Sequence, residues 1–465
     1  LNSGTSDART LSLIGNLNYT FMKWITVNGT WNYEGNSAIA KDNRWGLFQS
    51  YGGALNLQEI ESLAEKTERW LSQAKIRYSW GQSGQAPSGT SPYVGTYTAL
   101  TSKYGTATPI IPNSMQLEKL KWETSEEWDL GTDLGFFNNK LTMTFDYYDK
   151  KTHDLLQKKV KVASTSAYST IAWTNSGSVE NKGWEYRIDY EIFKNKKWLL
   201  KMDFNIARNE NEILKLPSNL TEDTYSFGNG NYAQKLLIGT PTGSFFGYRY
   251  KGVYQNTEDT YARDAEGGIM RDLSGNAIVM KNGSYLCYPG DAKYEDINHD
   301  GIIDENDIVY IGNCNPMVTG GAGISAKYKD WTLSMRFNYR LGQKVINSSR
   351  MNNEAMYNTD NQSKAVLRRW RSEGDQTDIP RALYNYGYNY LGSDRFVEDC
   401  SYVRLQTVTL NYKVPKKWCE KVHASSISCF VTGYDLLTFT DYKGQDPEVT
   451  LPKKVTDLSK DSSTT

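Results

Sequence analysis

The chain has 465 residues, and its 53 Lys and Arg balance 53 Asp and Glu, so the formal net charge is zero; that excludes a general nucleic-acid binder, which carries excess basic charge. Only 38% of residues are hydrophobic while 13% are aromatic, with 33 Tyr and 13 Trp. That balance suits strands with one apolar face better than a large globular core.

No run of about 18 apolar residues occurs, so no transmembrane helix is expected. The chain opens on Leu-Asn-Ser-Gly-Thr-Ser with no signal peptide. It is expected to be one piece of a longer protein.

Period-two alternation dominates the chain. It predicts 14 strands, at 11–21, 24–35, 52–60, 72–82, 124–136, 140–150, 181–193, 197–210, 231–238, 244–254, 316–328, 331–341, 398–412 and 426–438. The pattern is clearest where Trp184, Tyr186, Ile188, Tyr190 and Ile192 alternate with Glu185, Arg187, Asp189 and Glu191. At 398–412 the phase slips near Thr407, which predicts a bulge.

The connections alternate in length. Short turns such as Met22-Lys23, Lys329-Asp330 and Pro415-Lys-Lys417 join hairpins. Long polar segments at 83–123, 151–180, 255–315 and 342–397 separate them. A soluble sandwich has no need of that order. A transmembrane barrel does, with short turns on the periplasmic side and long loops outside. Trp24, Trp31, Trp184, Trp198, Tyr328 and Trp331 cluster near strand ends, where a ring at a membrane interface keeps its polar edge wet. The expected fold is therefore all-β, a transmembrane antiparallel barrel with long extracellular loops. Residues 1–465 form part of that one barrel domain. Its lumen face is expected to carry Lys75, Arg77, Asp129, Asp133, Glu185, Arg187, Asp189, Lys201, Asp203 and Arg336.

The longest loops carry the candidate sites. Asp296, Asn298, Asp300, Ile302, Asp304 and Asp307 fall at positions 1, 3, 5, 7, 9 and 12 of a calcium-type loop, with Gly301 at the turn. Ile302 would supply its carbonyl. Asp307 stands where a longer Glu is usual, and no helix is legible on either side. An acidic, solvated turn is the other reading of the same residues. Tyr384, Tyr386, Tyr388 and Tyr390 form an aromatic stretch suited to stacking on sugar faces or packing on a partner. Ala365–Arg371, with Trp370, reads as a short helix in contact with a lid. The five Cys at 287, 314, 400, 419 and 429 lack metal or disulfide spacing and read as packed or loop thiols. The three His lie far apart in sequence, and no nucleophile–base pair is legible, so an enzyme is not expected.

Several stretches resemble the SusC/RagA family of TonB-dependent outer-membrane transporters. They are Glu123-Thr-Ser-Glu-Glu-Trp128-Asp-Leu-Gly131, Asn181-Lys-Gly183-Trp-Glu185 and Phe246-Gly-Tyr-Arg-Tyr-Lys-Gly252-Val-Tyr-Gln255. The loop at 296–307 belongs with them, His299 replacing a Gly. So do Arg395-Phe-Val-Glu-Asp-Cys400-Ser-Tyr-Val-Arg404-Leu405, with Cys400 where Gly is usual, and Gly444-Gln-Asp446-Pro447-Glu448. The resemblance implies the C-terminal part of a barrel of about 22 strands with a plugged lumen. With 14 strands here and one final strand outside the chain, about 22 − 15 = 7 would precede Leu1. It also implies a plug domain and a TonB-contacting segment outside this chain. A SusD/RagB-like surface lipoprotein would act as lid, and oligosaccharides or oligopeptides would be imported through the outer membrane of a Bacteroidetes-type Gram-negative bacterium. Two other readings stay open: a receptor or adhesin barrel without transport, and a soluble carbohydrate-binding β-protein with a dockerin-like calcium loop. A dockerin would show a second such loop nearby, and none is present.

Overall fold

The computed structural model describes residues 8–89, 92–100, 108–161, 165, 168, 170–216, 232, 236–448 and 460–461. Twelve strands form one sheet: β1 (Thr10–Phe21), β2 (Ile25–Asn36), β3 (Trp45–Asn56), β4 (Leu71–Gln85), β5 (Glu123–Phe136), β6 (Leu141–His153), β7 (Ser178–Lys194), β8 (Trp198–Lys215), β9 (Val318–Tyr328), β10 (Trp331–Leu341), β11 (Tyr402–Lys413) and β12 (Ser428–Thr440). Their order in the sheet is their order in the chain, and every neighbouring pair is antiparallel.

Twelve, not 14, strands make the wall among the described residues. The strand expected at 52–60 starts at Trp45 and stops at Asn56. Beyond it Leu57–Glu59 turn in a short 3-10 segment, and the helix formers of Glu61–Thr67 make helix α1. The stretch 244–254 is not a wall strand. It makes two short pieces, Ser244–Gly247 and Tyr250–Val253, which pair with Val309–Asn313 and Ala292–Tyr294. Most of 231–238 lies outside the described residues, and 236–238 are not strand. The slip near Thr407 is a bulge: pairing shifts between Leu405 and Thr407 against β12, and between Arg336 and Phe337 on β10.

The two ends of the sheet differ. At one end lie the tight links. Met22 and Lys23 turn with φ of 44° and 64°, and Phe137, Asn138 and Asn139 with 54°, 59° and 57°. Consecutive left-handed residues twist a hairpin in the sense the strands require. Residues 195–197 and Lys329-Asp330 are as short. The longer links 57–70 and 414–427 at this end carry α1 and α3 (Lys416–Lys421), which takes its number after α2 (Ser348–Asn353) of the outer loops. At the other end lie 37–44, 86–122, 154–177, 216–317 and 342–401.

Register separates the two faces. Leu130, Tyr147 and Trp184 are opposed across β5, β6 and β7 on one face, as are Met202, Ile324 and Met335 across β8, β9 and β10. Leu130, Phe145, Tyr190, Met202 and Leu410 stay about two-fifths exposed. So broad an exposed apolar face requires a nonaqueous neighbour, here a bilayer. The other face carries Arg77, Asp133, Asp146, Glu185, Arg187, Asp203 and Arg336.

Most of the deepest packing lies outside the wall. Tyr254, Phe245, Phe396, Ile303, Ile346 and Leu391 are among the largest fully buried side chains, and all come from 216–317 or 342–401. They build two apolar clusters that join those loops. The wall thus has a lumen face, a lipid face and a folded body of loops at its outer end.

Candidate functional site

The two long loops meet around one carboxylate. Asp291 is 1% exposed. It accepts from Arg381 Nε at 2.7 Å and Nη2 at 3.3 Å, from the Tyr285 hydroxyl at 3.2 Å, from Tyr288 N at 2.9 Å and from Asn389 Nδ2 at 3.2 Å. Asn389 in turn accepts from Ala292 N at 2.9 Å. A buried charge persists only when so fully bonded. Burial pushes the neighbouring Cys287 thiol up to about 12, with the Asp291 charge adding to it. Burial, and then Asp291, also hold the Tyr285 hydroxyl protonated well past the ordinary phenol range.

This hub carries a tyrosine platform. Tyr285 stacks on Tyr388 with centroids 4.8 Å apart, and Tyr386 lies 5.7 Å from Tyr285 and 6.2 Å from Tyr388. Tyr288 meets Tyr285 edge-on at 6.0 Å, with the Arg381 guanidinium 5.7 Å over its ring. Tyr288, Tyr384 and Tyr386 are exposed by 51%, 62% and 52%, so the rings face solvent on a rigid base. Alternate residues 384–390 suggested a tyrosine surface, but Tyr390 is not part of it. It is buried against Tyr357 at 5.1 Å. Tyr285 and Tyr288 complete the platform from about a hundred residues upstream, where nothing local marks them. Trp370 is only half-exposed. Its ring lies over Gly290, where a Cβ would come within 2.2 Å, so it wedges its segment against the hub. The helix expected at Ala365–Arg371 is a 3-10 turn at Lys364–Arg368, capped by the Ser363 hydroxyl.

The loop at 296–307 folds on its own side chains. Asp296 accepts from Gly301 N at 2.8 Å, Asn298 from Asp300 N at 3.2 Å and Asp300 from Ile302 N at 2.8 Å. Asp304 caps the turn Glu305–Asp307 through Asn306 N. Gly301 takes φ 82°, as the sharp turn demands. Both oxygens of buried Asp307 are engaged, by Ile297 N at 2.7 Å and Asp304 N at 2.9 Å. Burial raises its pKa above the usual carboxylate value. Among the described residues no three His, Cys, Asp or Glu side chains group closely enough to hold a metal ion.

Seven of the ten charges expected on the lumen face stand in ion pairs. Arg77 bonds Asp133 at 2.9 Å and Asp146 at 2.8 Å, Arg187 bonds Asp189 at 2.7 Å, and Arg336 bonds Asp203 at 3.3 Å. Lys201 meets Glu191 at 3.6 Å. Asp146 and Glu191 complete sets that sequence alternation only half identified. A recess of about 420 Å³ on this face is lined by Asp146, Glu185, Arg187 and Asn205.

Two of the stretches that carry the family resemblance, 395–405 and 444–448, prove to be one joint. Arg404, only 7% exposed, holds Asp446 at 2.5 Å and Glu448 at 2.9 Å, and donates to Thr438 at 3.0 Å. Upstream, Arg395 pairs with Glu354 at 2.8 Å, both buried, and Arg350 bridges Glu354 at 3.0 Å and Glu398 at 2.7 Å. The stretch 395–404 therefore locks α2, the short strand Val397–Asp399 and the outer rim of β11 together.

Comparison with known proteins follows the same outline. Residues 1–428 match the profile of the family described as TonB dependent receptor-like, beta-barrel. The chain is 30% identical over 453 residues to TonB-dependent receptor P3 of Formosa agariphila, covering 95% of this chain and 42% of that protein. It is 27% identical over 463 residues to TonB-dependent receptor SusC of Bacteroides thetaiotaomicron, covering 94% and 41%. The RagAB peptide transporter shares the fold, with a TM-score of 0.76 at 24% identity over 95% of this chain and 45% of that one. The chain thus spans less than half the length of these relatives.

Proposed function

Because the chain belongs to the TonB-dependent receptor-like β-barrel family of the outer membrane, with its likeness to SusC and RagAB, we propose that it forms wall and outer loops of an importer of oligosaccharides. TonB would supply the energy, through parts of the protein outside this chain. A SusD/RagB-like surface lipoprotein would close over the loop body. The observation that carries the substrate class is the platform of Tyr285, Tyr288, Tyr386 and Tyr388. Flat rings on a fixed base suit the apolar faces of sugars, with Arg381 near for hydroxyl contacts. Oligopeptides are the second reading, since the RagAB relative is a peptide transporter. The protein is read as a transporter without catalytic activity, because the buried acids, amides and thiols of its loop body tie loops together.

The same proposal gives the loop at 296–307 a structural calcium ion. Its support is spacing and oxygen chemistry. The donors would be Asp296, Asn298, Asp300, Asp304, Asp307 and the Ile302 carbonyl. Both oxygens of Asp296 and of Asp307 accept backbone N–H groups here, and the ion would take their place. Calorimetric titration of the solubilised protein with calcium tests it. Absence of heat, with Asp300→Ala leaving stability unchanged, removes it.

Uptake of labelled oligosaccharides by cells with and without the gene tests the transport reading. Tyr386→Ala with Tyr388→Ala is expected to weaken binding about tenfold, each ring contact contributing about 0.5–1.5 kcal/mol. Binding of peptides alone would move the assignment to the second reading. Binding of neither would leave a receptor without transport.

A further inference from the structure

The charge of this chain cancels overall, yet around its periplasmic rim positive charge gathers on one side. The link 57–70 holds Glu59, Glu61, Glu65 and Glu68 against Lys66 and Arg69, and Lys23 and Lys140 of the links on either side of it bring that part of the rim to neutrality. On the other side, the links 195–197, 329–330 and 414–427 hold Lys196, Lys197, Lys329, Lys416, Lys417 and Lys421 against Asp330 and Glu420. These three links are remote in sequence, and the sheet order sets them side by side. They are joined directly: Lys329 N donates to Lys197 O at 2.7 Å and Lys413 N to Asp330 O at 2.8 Å. All six lysines are exposed. Among the described residues, Lys416 alone of the six reaches a carboxylate, Glu420 at 3.9 Å, and both side chains there are mostly exposed.

A row of rings runs just inside this patch on the lipid face. Trp198, Tyr328, Trp331 and Tyr412 are successive cross-strand partners. Trp198 and Tyr328 lie 4.4 Å apart, and Trp331 and Tyr412 4.5 Å. Such a row marks the depth of the bilayer interface. Lys329 sits 5.4 Å over Tyr328, and Lys421 5.6 Å over Trp418, which is 67% exposed on α3. The lysines therefore stand at headgroup depth, beside rings already in the interface.

We propose that these three links form a docking surface for anionic phospholipid headgroups of the inner leaflet. The phosphates meet the lysine ammonium groups, and Trp418 with the ring row fixes the depth. The patch covers one side of the rim, so the lipid shell around this barrel is asymmetric. The inference rests on the barrel and its orientation and is independent of the cargo.

The test uses the full-length protein in nanodiscs of phosphatidylethanolamine with a minor share of phosphatidylglycerol, followed by mass spectrometry of the lipids retained on extraction. Wild type is expected to enrich phosphatidylglycerol. Each basic residue near an anionic surface contributes about fivefold, so the variant K329Q/K416Q/K417Q/K421Q should lose at least about tenfold of that enrichment. The matching Lys→Arg variant should keep it. Heat-modifiable migration on a gel confirms that each variant is folded. Equal retention of both lipids by wild type overturns the proposal, and so does undiminished enrichment in a folded Gln variant. Displacement of the lipid by inorganic phosphate alone would also overturn it, by making the site a free-anion site.

Discussion

Replacing Asp291 by Ala should loosen the loop body without touching the wall. The substitution leaves the Arg381 guanidinium, the Asn389 amide and the Tyr285 hydroxyl without their shared acceptor. Removing one partner of a buried ion pair costs about 3–5 kcal/mol. The Arg381 side chain keeps 31% exposure, so water compensates in part and the lower end, about 3 kcal/mol, applies. That is roughly a hundredfold in the opening equilibrium, a tenfold change being about 1.4 kcal/mol. Hydrogen exchange of the protein in its membrane is the assay, because local opening is read directly as lost amide protection. Amides of Ala292, Leu391 and Arg381 should lose about two decades of protection, while those of β5 to β8 stay unchanged. Asp291→Asn, which keeps the volume and one acceptor, should cost about 1–2 kcal/mol. Adding Arg381→Met to Asp291→Ala should recover part of the loss, since the stranded cation is gone. If Asp291→Ala leaves protection within about twofold of wild type, the loops are held by their apolar clusters and the hub reasoning is wrong.

In the wall, Gly131→Ala would bring a Cβ to 2.3 Å from Asp146 Oδ1 and 2.7 Å from the Arg77 guanidinium. It should split that ion triad and cost about 1–3 kcal/mol, read as a lower unfolding temperature in a gel-shift series; an unchanged temperature would mean the triad is not packed there. Arg404→Met should free the segment 441–448 and expose it to protease in intact cells, at a cost of about 1–2 kcal/mol because its carboxylate partners are partly exposed; resistance equal to wild type would count against the joint. Alkaline pH should open the loop body before the barrel. Burial pushes the Cys287 and Cys400 thiols up to about 12 and raises the Tyr254 and Tyr294 hydroxyls well beyond the phenol range. Groups whose folded values are raised stabilise fully below their unfolded values, and that stability is lost as pH climbs above them, from about pH 8.5 for thiols and about pH 10 for phenols. Alkylation of Cys287 should therefore stay slow to about pH 9 and accelerate beyond it; a rate that follows an ordinary thiol would refute the burial.

Much of the wall was legible because a strand with one lipid face writes period two into the chain. Trp184 to Ile192 and Trp331 to Tyr339 were placed by that signal alone, and so was the bulge beside Thr407. The same signal misled at 244–254. Phe246, Tyr248 and Tyr250 also alternate, but Phe246 and Tyr248 are buried in the loop body. Alternation reports one covered face and says nothing of what covers it. At 45–51 the outward Trp45, Leu47 and Tyr51 alternate, yet Gly46 and Gln49 blurred the pattern. The site was less legible. The tyrosines of 384–390 advertise a surface, whereas Tyr285 gains meaning only through Asp291, Arg381 and the folding of two loops about ninety residues apart. Pairings across tens of residues leave no local trace, as Arg404 with Asp446 and Glu448, 42 and 44 residues away, also shows.

The most direct test of the central claim is to purify the full-length protein from outer membranes in mild detergent and identify by mass spectrometry what accompanies it. An importer with a loop-body platform predicts a stoichiometric lipid-anchored partner together with bound oligosaccharide or peptide. A barrel recovered alone, with neither partner nor cargo, would contradict the transport reading.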